Sequence, residues 1–237
     1  MISTTDKTVG EIAAANPSAA RVFEKHGIDY CCGGGRPLEV ACREKGLSDR
    51  QILAEVEQAQ PTGDTRDWAT APLAELADHI VNIHHAYLRS AMPALDQRLA
   101  KVIAAHSPNH GDSLLPLRQA WRGLVTEMTA HMMKEEMILF PLIKRIEAGV
   151  GAPGAHCGSV NNPIRVMEYE HDSAANALRE MHRVTGDYAL PADACNTYRA
   201  LFEGFQKLET DLHLHIHLEN NILFPRASEL EARLSNA

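Results

Sequence analysis

Apolar residues recur at helical spacing along this chain, and no segment shows the two-residue alternation of a strand. From residue 73 onward the pattern predicts four long helices. The first covers about 73–105, with Leu76, Ile80, Ile83, Tyr87 and Leu88 as its inward stripe and Pro93 placed to kink it. Residues 106–111 read as a turn. The second helix begins near 114–116, where a proline suits a first turn, and carries Leu117, Trp121, Leu124, Met128 and His131. A Gly/Pro-rich loop over 149–163 leads to a third helix over 164–184, and a fourth runs over about 193–224. Four such helices with modest loops predict an antiparallel bundle.

The first 60 residues read differently. Thr8 with Glu11 three positions later has the form of a capping box opening a helix. Asn16-Pro17 interrupts it, and a short helix over 18–26 ends at Gly27, a plausible C-terminal cap. Helices over 38–45 and 48–58 follow. Residues 61–72 have linker composition. The expected organisation is all-α: a small N-terminal helical domain (1–60), a linker (61–72) and a four-helix bundle (73–237).

Composition narrows the function. The net charge of −8 argues against a nucleic-acid or anionic-membrane surface. No apolar run approaches the roughly 20 residues of a membrane span, and the polar start lacks a signal peptide's apolar core. Five cysteines, two of them adjacent, do not read as a disulfide framework, so the expected compartment is the cytoplasm. Thirteen histidines are many for 237 residues and hint at metal.

The chemistry-bearing pattern is a repeat. His131-x-x-x-Glu135-x-x-Ile-Leu-Phe-Pro returns as His215-x-x-x-Glu219-x-x-Ile-Leu-Phe-Pro. The i, i+4 spacing puts imidazole and carboxylate on one helix face, and the echo suggests two related hairpins, each supplying half of a central site. His171 in the third helix and His84 or His85 in the first stand opposite. Keeping the hairpins in register favours His85, while His84, His79 and His217 are expected behind the ligands or partly exposed. The set is therefore His85, His131, Glu135, His171, His215 and Glu219. Four imidazoles and two carboxylates exceed one tetrahedral zinc. Mixed nitrogen and oxygen donors with carboxylates able to bridge suit a pair of iron ions, with zinc or manganese chemically open. Glu127, one turn before His131, and Glu170, preceding His171, are expected either to bond ligand imidazoles or to form a polar path for iron. Cys31-Cys32 precedes three glycines and Arg36-Pro37 at a helix start, where helix amides and the arginine would favour a thiolate; the alternative is two buried small apolar residues. Cys42 is expected to pack, and Cys157 and Cys195 fall in or near loops.

At the His-x-x-x-Glu repeats the chain resembles the hemerythrin-like family. That family's dioxygen carriers use five terminal histidines. Four here leave a coordination position open. The segment from Val9-Gly-Glu-Ile through Asp29-Tyr-Cys-Cys-Gly-Gly-Gly, together with the bundle, strongly resembles the RIC (repair of iron centres) proteins over almost the whole length. The resemblance implies a cytoplasmic di-iron protein that restores iron–sulfur clusters damaged by nitric oxide or oxidants. Carried over by position, the six residues would be iron ligands and Cys31 and Cys32 the functional thiols. Damaged or apo iron–sulfur proteins would be the partners. The ligand set alone equally suits a di-iron enzyme that binds or reduces nitric oxide, or a sensor or store for nitric oxide or dioxygen.

Overall fold

A computed structural model describes residues 7–60, 66–149 and 158–235. Among them the chain is helical with no strand, apart from one isolated bridge between Thr8 and Pro37. Four short helices come first: α1 (Val9–Ala15), α2 (Ser18–Lys25), α3 (Leu38–Glu44) and α4 (Asp49–Gln58). The capping box at the start of α1 is formed in both directions: Thr8 Oγ1 accepts from the Glu11 amide at 3.2 Å and Glu11 Oε2 from the Thr8 amide at 2.8 Å. The helices close around Phe23, Leu38, Ile52 and Val9, all buried. Glu55 of α4 holds Lys25 (2.8 Å) and His26 (3.0 Å) at the end of α2.

The bundle has four rods. The first is α5 (Leu73–His79), a π-helical turn (Ile80–His85) and the opening arm of α6 (Ala86–Lys134). The second is the closing arm of α6, a π turn (Glu135–Leu139) and α7 (Phe140–Glu147). The third is α8 (Asn161–Thr185). The fourth is α9 (Asn196–Leu218), a π turn (Glu219–Leu223) and α10 (Phe224–Ser235). The fourth helix thus continues well past residue 224, burying Phe224 and Ala227.

Two expectations change. The turn expected over 106–111 contracts to His110, the single residue within α6 with non-helical dihedrals (φ −129°, ψ 21°), while Pro93, Pro108 and Pro116 sit inside helical backbone. Pro108 contributes no backbone donor just before this break, so less intrahelical bonding is lost there. Secondly, Ile83 is 52% exposed rather than inward. A π turn accommodates an extra residue, so the 3.6 rhythm slips by one position between Ile80 and Leu88; His84 and His85 both turn inward in its place.

Two apolar layers fill the bundle. One, around Leu99, Leu117, Trp121, Phe205 and Leu208, occupies the end with the α6 bend, with the Trp121 and Phe205 rings 4.9 Å apart. The other, around Leu76, Ile80, Phe140, Ile143 and Phe224, fills the opposite end. Residues 61–65 of the expected linker and 150–157 of the Gly/Pro-rich loop, including Cys157, lie outside the described residues. The rest of the linker is packed on the bundle: Trp68 and Ala71 are buried, and Arg226 donates to their carbonyls at 2.8 and 2.7 Å.

Candidate metal centre and the docked cysteine segment

Between the two apolar layers lies a polar one. His85, His131, Glu135, His171, His215 and Glu219 are all fully buried. The structure brings them together as two overlapping groups, each with its donor atoms within 4.8 Å of one another: His85, His215, Glu135 and Glu219 in one, His131, His171, Glu135 and Glu219 in the other. Both carboxylates belong to both groups. Glu135 Oε2 lies 3.3 Å from Nε2 of His85 and 3.3 Å from Nε2 of His131. Glu219 divides its oxygens, Oε1 at 3.0 Å from His215 Nε2 and Oε2 at 3.1 Å from His171 Nε2. The π turns assist: one ends on His85, and the other two begin on Glu135 and Glu219.

The donor set fits a cation. Nε2 atoms meet in pairs, His85 with His215 at 3.3 Å and His131 with His171 at 3.1 Å, and both oxygens of Glu135 are buried without a hydrogen bond. Burial and the neighbouring Glu219 push the Glu135 carboxyl up, but His131 and His85 outweigh them and hold it below its ordinary value. Burial likewise opposes ionisation of Glu219, yet His215 and His171 hold it well below the usual range. Burial pushes the His131 imidazole down, but Glu135 overrides it and lifts the group to about 9. Two ionised carboxylates in a dry layer demand positive charge between them, as shared protons or as a metal.

The Nδ1 side of three of the four rings is held from behind, and here sequence reasoning missed a rule. Glu136 Oε1 sits 2.6 Å from His85 Nδ1, and Asn220 Oδ1 sits 2.8 Å from His171 Nδ1. Each immediately follows a glutamate of the central set and reaches across its own hairpin, so the repeat that singled out Glu135 and Glu219 also contained this signal. Arg89 anchors Glu136 at 2.6 Å. Glu170 Oε2 sits 2.9 Å from His131 Nδ1 and its other oxygen meets Lys134. Glu127 stays outside, exposed, accepting from Ser173 Oγ at 2.7 Å. His84 is buried with Nδ1 3.1 Å from Asp211 and its ring stacked on that of His215 at 5.6 Å. His215 Nδ1 has no hydrogen-bond partner.

The N-terminal helices dock on this part of the bundle through Asn220 and Asn221. Asn221 Nδ2 donates to the carbonyls of Tyr30 (3.0 Å) and Cys31 (3.3 Å) and lies 3.1 Å from His217 Nδ1. Asn220 Nδ2 reaches the Cys31 carbonyl at 3.5 Å. A Cβ on Gly10 or Gly34 would collide with the Asn221 amide, so both positions need glycine for the approach. His217 is buried and edge-on to Tyr30 at 5.4 Å, while His79 is half-buried against Trp68 at 4.4 Å.

Cys32, half-buried, points its Sγ at the His171 carbonyl at 3.8 Å. Cys31 is buried, with Sγ 3.3 Å from Asp29 Oδ1. The electrostatics expected at Cys31 are reversed. Arg36 is turned onto Glu44, and the hydrogen bond with Cys32, then burial, then the charges of Cys32 and Asp29 push the Cys31 thiol far up. Cys31 is therefore held as a thiol. Cys42 is buried in the small domain's core.

Comparison with known proteins agrees with this architecture. Residues 76–227 match the Hemerythrin HHE cation binding domain, and residues 5–60 match a Domain of Unknown function (DUF542). The chain is 40% identical to the iron–sulfur cluster repair protein YtfE of Pectobacterium atrosepticum, over 94% of this chain and 96% of that one. It is 39% identical to the protein of that name from Citrobacter koseri (95% and 98% covered) and to that from Escherichia coli O157:H7 (94% and 96%). Similarity of that degree over nearly the full length, around a cation-binding bundle with its buried donors assembled, places the chain in the YtfE family of iron–sulfur cluster repair proteins.

Proposed function

We propose that this chain repairs damaged iron–sulfur clusters by holding two iron ions between its bundle helices and giving up iron to the damaged centre. The observation that carries the reading is the pair of overlapping donor groups. Each offers two imidazoles, and two carboxylates are shared between the groups. Such a set offsets two of the four positive charges of two divalent ions and leaves positions open on each, as a store that must release its cargo requires. Bound there, iron would be the transferable species and would supply the chemistry for small ligands such as nitric oxide or dioxygen.

The residues of the chain divide the remaining work. Glu136, Glu170 and Asn220 fix the tautomers of His85, His131 and His171, presenting Nε2 to the centre. The apolar layers exclude water from the donors. The cysteine segment meets the centre through the contact of Cys32 Sγ with the His171 carbonyl and through Asn220. No sulfur points at the donor atoms in these contacts, which favours a role for Cys32 in docking a client or in passing iron at the surface. A cleft lined by Cys32, Glu168, Asp172 and Asn220 opens beside it.

The test is anaerobic iron transfer from the di-ferrous protein to an apo cluster scaffold supplied with sulfide, with the Cys31→Ser/Cys32→Ser variant in parallel. Cluster assembly on the scaffold at the expense of protein-bound iron supports donation, and loss of rate in the variant assigns the thiols a part. Retention of both irons while the scaffold stays empty refutes it.

A further inference from the structure

A second group of metal-binding side chains lies at the opposite end of the first rod, roughly 30 Å along α6 from His85 at 1.5 Å per residue. His106 and His110 are one turn apart, and both turn Nε2 toward the loop between α8 and α9. His110 Nε2 is 2.8 Å from Asp193 Oδ1 and His106 Nε2 is 3.3 Å from Cys195 Sγ. The donor atoms of His106, His110 and Asp193 lie within 4.8 Å of one another. Asp193 and Cys195 are exposed and the two rings half-buried, so an ion has access from solvent.

Local structure aims these side chains. His110 is the one non-helical residue of α6, and its dihedrals belong to the bend itself. Cys195 is the N-cap residue immediately before α9, in extended conformation (φ −77°, ψ 169°). The buried ring of Tyr198, on the first turn of α9, backs both imidazoles, with centroids 5.2 Å from His106 and 6.5 Å from His110. The arrangement joins an i, i+4 histidine pair on one element to an Asp-x-Cys pair on another.

We propose that His106, His110, Asp193 and Cys195 form a second metal site, separate from the six-residue centre, that takes a borderline-soft divalent cation of the Zn²⁺ class. Two imidazoles, one carboxylate and one thiolate are a four-donor set suited to tetrahedral zinc, whereas Mg²⁺ and Ca²⁺ prefer oxygen alone. His106, His110 and Asp193 already converge. Cys195, paired with His106 at 3.3 Å but outside that three-residue group, completes the set by turning its exposed side chain toward an ion with bonds of about 2.0–2.3 Å. Bound there, the ion clamps the α8–α9 loop to the bend in α6.

Sulfur supplies the test, because the six-residue centre contains none. The full-length protein, its central site loaded with Fe²⁺ under anaerobic conditions, is titrated with Co²⁺. The expected result is one Co²⁺ per chain giving a thiolate-to-cobalt charge-transfer band, displaced by Zn²⁺. The band disappears in Cys195→Ser, and affinity falls at least tenfold in His106→Ala/His110→Ala. All three positions are at least partly solvent-accessible, and unchanged iron content of the central site checks that the variants fold. No band in the parent protein, or the same band in Cys195→Ser, overturns the proposal. So does equal Zn²⁺ binding by the parent and the double-histidine variant in chelator competition.

Discussion

Replacing Asn221 by alanine should release the cysteine segment from the bundle. The Asn221 amide is the polar hinge of that contact, donating to the Tyr30 and Cys31 carbonyls and facing His217 Nδ1. Tyr30 and His217 are both buried, so truncation strands two polar groups where water does not reach. Each stranded buried group costs about 1–3 kcal/mol, which gives roughly 2–6 kcal/mol for the docked state. Cys31 is 5% exposed, so its alkylation reports opening of the segment. At about 1.4 kcal/mol per factor of ten, the opening equilibrium and hence the alkylation rate should rise about 30-fold or more. Mass spectrometry of the peptide carrying Cys31 and Cys32, sampled over time with a small alkylating agent, resolves the two sites; Cys32, half-buried already, should change less. A Cys31 rate within threefold of the parent, with unchanged thermal stability, would refute the reasoning, because the amide would then contribute nothing to docking.

Removing the carboxylates behind the rings, in Glu136→Ala or Glu170→Ala, should weaken Fe²⁺ binding about 10- to 100-fold in chelator competition. Glu127→Ala should leave it unchanged, since Glu127 meets Ser173 instead of an imidazole; an equal loss there would reduce the effect to general surface charge. The contact between α2 and α9 should depend on pH. Burial pushes the His213 imidazole down, but Glu24 at 2.7 Å outweighs it and holds the group above its ordinary value. A histidine raised on folding stabilises fully below its unfolded value of about 6.5 and loses that stabilisation as pH rises through the folded value. The melting-temperature difference between the parent and Glu24→Gln should therefore be largest below about pH 6.5 and shrink at higher pH; a difference that grew with pH would reverse the assignment.

The helical class and the convergence of six side chains were legible because both rest on local periodicity and on a repeat. A His-x-x-x-Glu pair aligned with its copy carries its geometry within five residues. The choice of His85 over His84 needed the register between hairpins, and the π turn that buries both was hidden, since nothing in Ile80-Val-Asn-Ile-His-His marks an extra residue. Glu136 and Asn220 were readable from the same repeat but have different chemistry, so the aligned positions did not look alike. The docking through Asn221 was not legible at all. It joins residues about 190 positions apart, and its energy resides in buried amides that no sequence window contains. The Cys31 environment failed for a related reason. Arg36 is near in sequence, but Glu44 offered it an exposed partner one helix away.

The three π turns among the described residues also set the mechanical phase of the bundle. A helix carrying a π turn is a helix with one residue too many, so the layers on either side of it are rotated out of step by about 100° relative to an unbroken α-helix. Five of the six polar side chains sit at that phase boundary in three rods, and the sixth, His171, is on the third rod, α8, which has no π turn among its described turns. Loss of one residue inside any of these turns would restore the ordinary helical rhythm and still leave each apolar layer with its own residues. The layers could then no longer face inward together, and the polar set would be rotated out of register. Such a chain would keep its helices and lose its centre, so the site is maintained by residue count as well as by residue identity.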